Sequence, residues 1–364
     1  MLTNGRFFLL VIIFGCCSVS AGVEKRVKDI VTKYKIPSLS VMVLSKDEVI
    51  VHEFSGVKKM GEDDKVNETS SFHLGSCGKA FTASLIFKLY DEGKINLDDS
   101  ITKYIKKLDL KKFEDVKIKH LLSHTAGIVA NVEGKSWEGM FSFDITPSEG
   151  RDIAINYLNK SKRVGKSGTV FEYSNIGYML LGQVIENVES KSFEDVITEK
   201  LFKPFKMKSC SFGAAGKNGS SDQPWAHRLE NSRFIPQNPK LISSDNPPAM
   251  IPAGGISCSQ KDWSTFIKFV MGVGINHDYL SEKARKLMLK TNLNNYTYGA
   301  WGKVTKDWSG ELLAHAGSNN LNYSYAIVGL DKKFAFLLNS NSPAEQAIFE
   351  LIPFLKDYYL NSLK

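Results

Sequence analysis

The sequence predicts a mixed α/β (α+β) fold: an antiparallel sheet built from both chain ends, flanked by helices and packed against a mainly helical lobe. Two observations carry this expectation. Each end of the chain sets a hairpin-like pair of β-branched, apolar stretches beside a helical stretch, and the middle reads as helical patches separated by Gly/Pro/Asn loops. A sheet drawn from distant parts of the chain needs its faces covered, and the terminal helices are the natural cover. The sheet lobe is expected over residues 22–72 and 291–364, and the helical lobe over residues 73–290.

Taken in order, the first residues are a leader rather than part of the fold. Arg6 precedes the almost wholly apolar stretch 7–15, and small residues end at Val19-Ser20-Ala21. This reads as a secretory signal peptide (1–21) cut after Ala21, which implies a periplasmic or secreted protein. The run is too short to span a bilayer. Ile13-Phe14-Gly15-Cys16 is a poor lipoprotein box because Phe14 stands where a small residue is preferred, so a lipid anchor on Cys16 is the weaker alternative. Residues 23–34 have helical periodicity that Pro37 ends. Stretches 38–44 and 48–54 then form a hairpin across Lys46-Asp47. Residues 80–90 are apolar nearly all round until Gly93, which predicts a helix buried in the protein centre. Thr146-Pro147-Ser148-Glu149 and Ser259-Gln260-Lys261-Asp262 have the chemistry of capped helix starts. Between them, residues 213–255 show little periodicity and suit loops that shape a substrate entrance, as do residues 129–146. Stretches 323–330 and 333–339 make the second hairpin, across Asp331-Lys332, and residues 343–360 the terminal helix.

Composition narrows the function classes. The 364 residues are 43% hydrophobic, and the formal net charge of +8 comes mainly from scattered lysines. Pairs such as Lys106-Lys107 and Lys111-Lys112 look like solvated faces, without the interleaved aromatics of a nucleic-acid groove. No nucleic-acid partner and no transmembrane span in the mature chain are therefore expected; a basic surface still suits an anionic envelope or polymer. Past the leader only Cys77, Cys210 and Cys258 remain. An odd count leaves at least one free thiol, and the spacings indicate neither a disulfide framework nor a zinc site.

The chemistry centres on His73-Leu74-Gly75-Ser76-Cys77-Gly78-Lys79, immediately before the buried helix. Residues three apart share a helix face, so the Lys79 amine can reach the Ser76 hydroxyl. A helix N-terminus also disfavours an ammonium and favours a developing alkoxide. A serine hydroxyl needs that help at neutral pH. Ser-x-x-Lys recurs at Ser55/Lys58 and Ser100/Lys103, but only Ser76 has a glycine before it and a buried helix after it. Cys77 lacks the lysine spacing and reads as an inward-packing small residue. Tyr173-Ser174-Asn175 lies in a bend before an apolar helix, where both flanking side chains can face one cleft. Tyr173 then suits a proton relay if Lys79 lowers its pKa, and Asn175 a substrate amide contact. Before the C-terminal hairpin, His315-Ala316-Gly317-Ser318 offers a strand edge on which a substrate can lie, with the Ser318 N–H opposite that of Ser76 as an oxyanion hole.

In these three motifs and their order the sequence resembles the serine β-lactamase and penicillin-binding-protein superfamily, particularly the class C β-lactamase, DD-peptidase and esterase branch. Framework segments around His120-Leu-Leu-Ser-His124-Thr-Ala-Gly127, Gly168–Tyr178 and Pro252-Ala-Gly-Gly-Ile256 extend the resemblance over nearly the whole mature chain (22–364). It implies Ser76 as the acylated nucleophile, Lys79 and Tyr173 as proton carriers, and Asn175, His315, Gly317 and Ser318 as substrate-binding groups. No metal or organic cofactor is implied. The expected partner is a small-molecule or peptide substrate: a β-lactam, an ester or a D-amino-acid peptide such as a cell-wall peptide. His315 is a departure, since β-lactamases of this branch carry lysine there to meet the drug's carboxylate. His120/His124 and Lys166-Ser167-Gly168 are read as decoys for a metal pair and for the third motif. A non-catalytic penicillin-binding-like receptor or scaffold is the competing expectation, against which intact Lys79 and Tyr173 argue.

Overall fold

In the computed structural model, which describes residues 15–142, 144–216 and 222–363, eleven strands run in chain order: β1 (Ser38–Ser45), β2 (Val49–Gly56), β3 (Ser71–His73), β4 (Ser211–Phe212), β5 (His227–Glu230), β6 (Arg233–Pro236), β7 (Ile256–Ser259), β8 (Gly302–Lys306), β9 (Gly310–Ser318), β10 (Tyr323–Gly329) and β11 (Phe334–Ser340). Six of them form one antiparallel sheet in the order β2-β1-β11-β10-β9-β8. The first and last thirds of the chain meet where β1 pairs with β11, Ser40 opposite Asn339. This is the expected sheet from both chain ends. The apolar core of the expected leader lies outside the described residues; helix α1 is described from Gly15 to Tyr34. Among the described residues no helix is long and apolar enough to cross a membrane.

Alternation along the strands builds two cores. Leu39, Val41 and Val43 of β1, with Phe336 and Leu338 of β11, face α1 and the terminal helix Glu345–Ser362. Met42, Leu44, Ala335 and Leu337 point the other way, into the core shared with the helical lobe. Both faces of the central strands are thus covered, which explains why β1 and β11 read as near-continuous apolar runs. The central helix α2 (Lys79–Asp91) is buried over most of its length, as an apolar circumference demands.

The helix signals hold with one adjustment. Thr146 and Glu149 form a reciprocal capping box. Ser259 caps the Gln260–Met271 helix, but the Asp262 carboxylate turns away to accept from the N–H and hydroxyl of Ser209, so the box is only half made. The middle of the chain also contains sheet that its sequence does not announce. Strand β7 lies between β3 and β4, and β5 pairs with β6 inside the loop-like stretch 213–255. The β4–β7 ladder sets Ser211 opposite Ser257, which brings Cys210 and Cys258 together as a disulfide across 48 positions. The spacings alone indicate no disulfide framework and leave the pairing of the three cysteines open; the ladder decides it. The separation hides a partnership that the ladder creates, and Cys77 is left as the free, buried thiol.

Candidate active site

Gly75–Gly78 is a single 3-10 turn leading directly into α2. Every residue in 70–87 is buried except Ser76. The turn therefore presents one hydroxyl at the surface of an otherwise closed core. Cys77 beside it points inward, donating its thiol to the His315 carbonyl at 3.4 Å, and burial raises its pKa. A thiolate nucleophile is excluded on both counts.

Lys79 is fully buried, and its Nζ lies 3.0 Å from Ser76 Oγ, 2.7 Å from Asn175 Oδ1 and 2.5 Å from the Ala253 carbonyl oxygen. No carboxylate among the described residues meets it. Burial lowers its pKa to about 7. The three partners suit a neutral amine: two are carbonyl oxygens that can only accept, which uses two N–H groups, and the lone pair is then left facing the hydroxyl that can donate. Lys79 can thus take the Ser76 proton. The decoy lysines differ in that respect: Lys58 pairs with Asp64 and Lys103 with Asp99.

Ser174 caps the Asn175–Glu189 helix, accepting from the Gly177 N–H. The bend this creates directs Tyr173 and Asn175 toward Lys79, whose Nζ sits 4.9 Å from the Tyr173 ring centre. Behind the bend, His124 Nδ1 accepts from the Ser174 N–H at 3.0 Å and its ring lies 4.2 Å from that of Tyr173. His120 accepts from the Lys117 N–H, so the two histidines brace separate segments. Ser167 of the other decoy accepts from Arg163. The expectation that Lys79 lowers the Tyr173 pKa is overturned. Burial raises it, and the Ser76 hydroxyl offsets only part of that. Burial dominates at this hydroxyl, so the phenol stays protonated and can give a proton.

Strand β8 pairs with β9 only as far as Ala314, and the β9 edge at residues 315–318 carries no further strand among the described residues. Two glycines press that edge against Ser76. A Cβ on Gly75 (φ +52°) would stand 2.4 Å from the Ser318 nitrogen, and one on Gly317 would stand 2.0 Å from the Leu74 oxygen and 2.9 Å from the Ser76 nitrogen. Only glycines allow the Ser76 and Ser318 amides to lie side by side. Gly317→Ala is accordingly expected to destabilise the fold by about 1–3 kcal/mol and to slow acylation at least ~10-fold, measured by thermal melts and labelling rates.

His315 does not reach out as a substrate ligand would. Its ring is buried, Nδ1 lies 2.6 Å from the Ala316 carbonyl and Nε2 lies 3.0 Å from the Tyr296 hydroxyl. Burial first, and then Lys79, lower its pKa to about 4. The imidazole is neutral at pH 7 and both nitrogens are occupied within the protein. Tyr296 and Asn131, which accepts from Asn175 Nδ2 at 2.8 Å, complete the site without any motif to announce them. The Ala253 carbonyl lies in the glycine-containing segment already singled out as framework.

A cavity of about 510 Å³ opens beside Asn175 and Ser318, walled by Asn131, Glu133, Trp137 and Met250 among others. Its walls come from both expected entrance loops. Among the described residues it has no lysine or arginine in its lining.

Comparison with known proteins gives the family and the fold. Residues 23–354 match the family model described as Beta-lactamase. Protein flp of Staphylococcus aureus (strain N315) is 26% identical over 337 residues, 89% of this chain and 63% of that protein. The chain therefore spans less than two thirds of the length of this relative. Penicillin-binding protein 4 of Amycolatopsis lactamdurans is 28% identical over 188 residues, half of this chain and 46% of the relative. Among solved structures, the octameric penicillin-binding protein homologue from Pyrococcus abyssi superposes with a TM-score of 0.77 at 25% identity, covering 89% of this chain and 74% of that one. A class C β-lactamase shares the fold at a TM-score of 0.75 and 18% identity, covering 97% and 99%.

Proposed function

Starting from a chain that belongs to the Beta-lactamase family, we propose that it is a serine hydrolase that acts through an acyl-enzyme on Ser76. The observation that carries this reading is the buried Lys79 amine, with a pKa of about 7, lying 3.0 Å from the Ser76 hydroxyl. In the acylation step the Ser76 proton passes to the Lys79 lone pair as Oγ bonds to the substrate carbonyl carbon. The carbonyl oxygen takes the negative charge between the Ser76 and Ser318 N–H groups. When the tetrahedral species collapses, the protonated Tyr173 gives its proton to the leaving group and recovers one from the Lys79 ammonium. Water then repeats the attack, with Lys79 accepting its proton and passing it to Ser76 Oγ as the acyl–oxygen bond breaks and the acid is released. Asn175 holds both Lys79 and the cavity wall.

The substrate reading follows from charge. A neutral, internally bonded His315 and a cavity without cations offer a carboxylate no partner. This favours an ester over a substrate anchored by its carboxylate, whether a β-lactam or a peptide with a free C-terminal D-amino acid, and the expected leader favours action outside the cytoplasm. A p-nitrophenyl ester and a chromogenic cephalosporin offered to wild type, Ser76→Ala and Tyr173→Phe test both parts. Ester turnover well above cephalosporin turnover, lost in Ser76→Ala and reduced ~10²-fold in Tyr173→Phe, is expected. Equal ester rates in all three proteins would overturn the catalytic assignment, and preferential cephalosporin turnover would overturn the substrate reading.

A further inference from the structure

One carboxylate links the two segments that supply the oxyanion N–H groups. Asp245, in the connection between β6 and β7, is almost wholly enclosed, and its Oδ2 lies 3.1 Å from His73 Nε2. Its Oδ1 accepts from the side-chain amide of Asn319 at 2.8 Å and from the Asn246 N–H at 2.7 Å. His73 is 1% exposed, and its Nδ1 lies 3.1 Å from the Gly75 amide nitrogen. A backbone amide can only donate, so Nδ1 must offer a lone pair and the ring proton must sit on Nε2, facing Asp245. The partners thus determine both tautomer and ring orientation.

Each arm ends next to a catalytic amide. Gly75 precedes Ser76 and holds a left-handed φ of +52°, a conformation its hydrogen bond to His73 helps to retain. Asn319 follows Ser318, and its Oδ1 accepts from the N–H groups of Leu321 at 3.2 Å and Asn322 at 2.9 Å, which organises the turn leaving β9. Asn246 and Met250, from the same connection as Asp245, line the cavity beside Asn175 and Ser318. We propose that Asp245, His73 and Asn319 act as a brace that sets the spacing of the Ser76 and Ser318 N–H groups. They are positioning residues, because none of them touches the reacting atoms in this scheme. The proposal rests on the serine-hydrolase reading and adds to it a group that tunes the oxyanion hole.

A brace for the hole affects the tetrahedral state more than ground-state binding. His73→Ala removes the acceptor for Gly75. Asp245→Asn puts an amide N–H against either His73 or Asn319. Each is expected to lower kcat for a p-nitrophenyl ester ~10–100-fold while KM stays within ~3-fold of wild type. Affinity for an aryl boronic acid, whose tetrahedral adduct on Ser76 places an oxygen in the hole, should fall by a similar factor. The double variant should be no worse than the worse single one, since both break the same linkage. His73→Asn should recover most of the rate, because an asparagine oxygen accepts readily from the N–H two residues ahead. If His73→Ala does not fold, Asp245→Asn and Asn319→Ser carry the same test from the other arm. The brace is overturned if folded variants keep kcat and boronate affinity within ~3-fold of wild type, or if the loss falls on KM alone with a lowered melting temperature. A wild type that hydrolyses no ester and takes no boronate would overturn the serine-hydrolase reading and the brace with it; a reactive wild type with unaffected variants would overturn the brace alone.

Discussion

Ser76→Ala will remove all covalent labelling by an activated fluorophosphonate, seen by intact-protein mass spectrometry as loss of the single adduct carried by wild type. Turnover of an activated ester should fall on the order of 10⁴-fold or more, since no second nucleophile can replace the hydroxyl. Cys77 is adjacent, but its thiol is buried, its pKa is raised and it points toward the His315 carbonyl. The substitution should barely alter stability, because Ser76 is the one partly exposed position in an otherwise buried segment. Residual labelling at another residue would move the nucleophile elsewhere.

Lys79→Met has the second largest expected effect and joins function to stability. Loss of the base should lower kcat/KM about 10³–10⁴-fold. In wild type kcat/KM should rise with pH through about 7, as burial-depressed Lys79 loses its proton and becomes able to accept one. His315, with its pKa lowered to about 4, leaves that limb to Lys79. The stability effect has the opposite sign. An unfolded chain holds the lysine proton up to its ordinary pKa of 10.5, whereas the folded protein releases it at about 7. Between those values the unfolded state binds more protons, so wild-type stability rises with pH across the window. Holding the lysine in the core therefore costs stability at pH 7, by an upper limit of about 5 kcal/mol. Part of this is offset by the three contacts of Nζ. Lys79→Met should be more stable than wild type by about 1–3 kcal/mol at pH 7, with the gain shrinking toward pH 10 in urea titrations. A destabilised variant at pH 7 would mean that the amine is held charged.

The site was legible wherever a short spacing carries the geometry. Ser76 and Lys79 share a helix face by arithmetic alone, and Tyr173 and Asn175 are turned into one cleft by a serine-capped bend that the sequence displays. Glycines at 75 and 317 were visible as permissive positions, but what they permit is an approach between segments some 240 residues apart, and no local pattern encodes that. The electrostatics were less legible still. Sequence offers Lys79 as a cation able to tune Tyr173, yet in the fold the lysine itself is desolvated and the phenol is kept protonated. His315 was read as facing substrate, whereas its strand alternation and Tyr296 keep it inside.

The chain's local patterns determined its elements: the terminal hairpins and helices, the buried central helix, the capped starts and the order of the three motifs. Apolar periodicity and backbone sterics act over a few residues, and a few residues suffice to read them. Tertiary structure alone decided the Cys210–Cys258 partnership, the β3-β7-β4 ladder, the lowered pKa of Lys79 and the link from Asp245 to both His73 and Asn319. Each of these depends on which distant groups displace water from one another, and burial is a property of the packed chain that no single segment possesses.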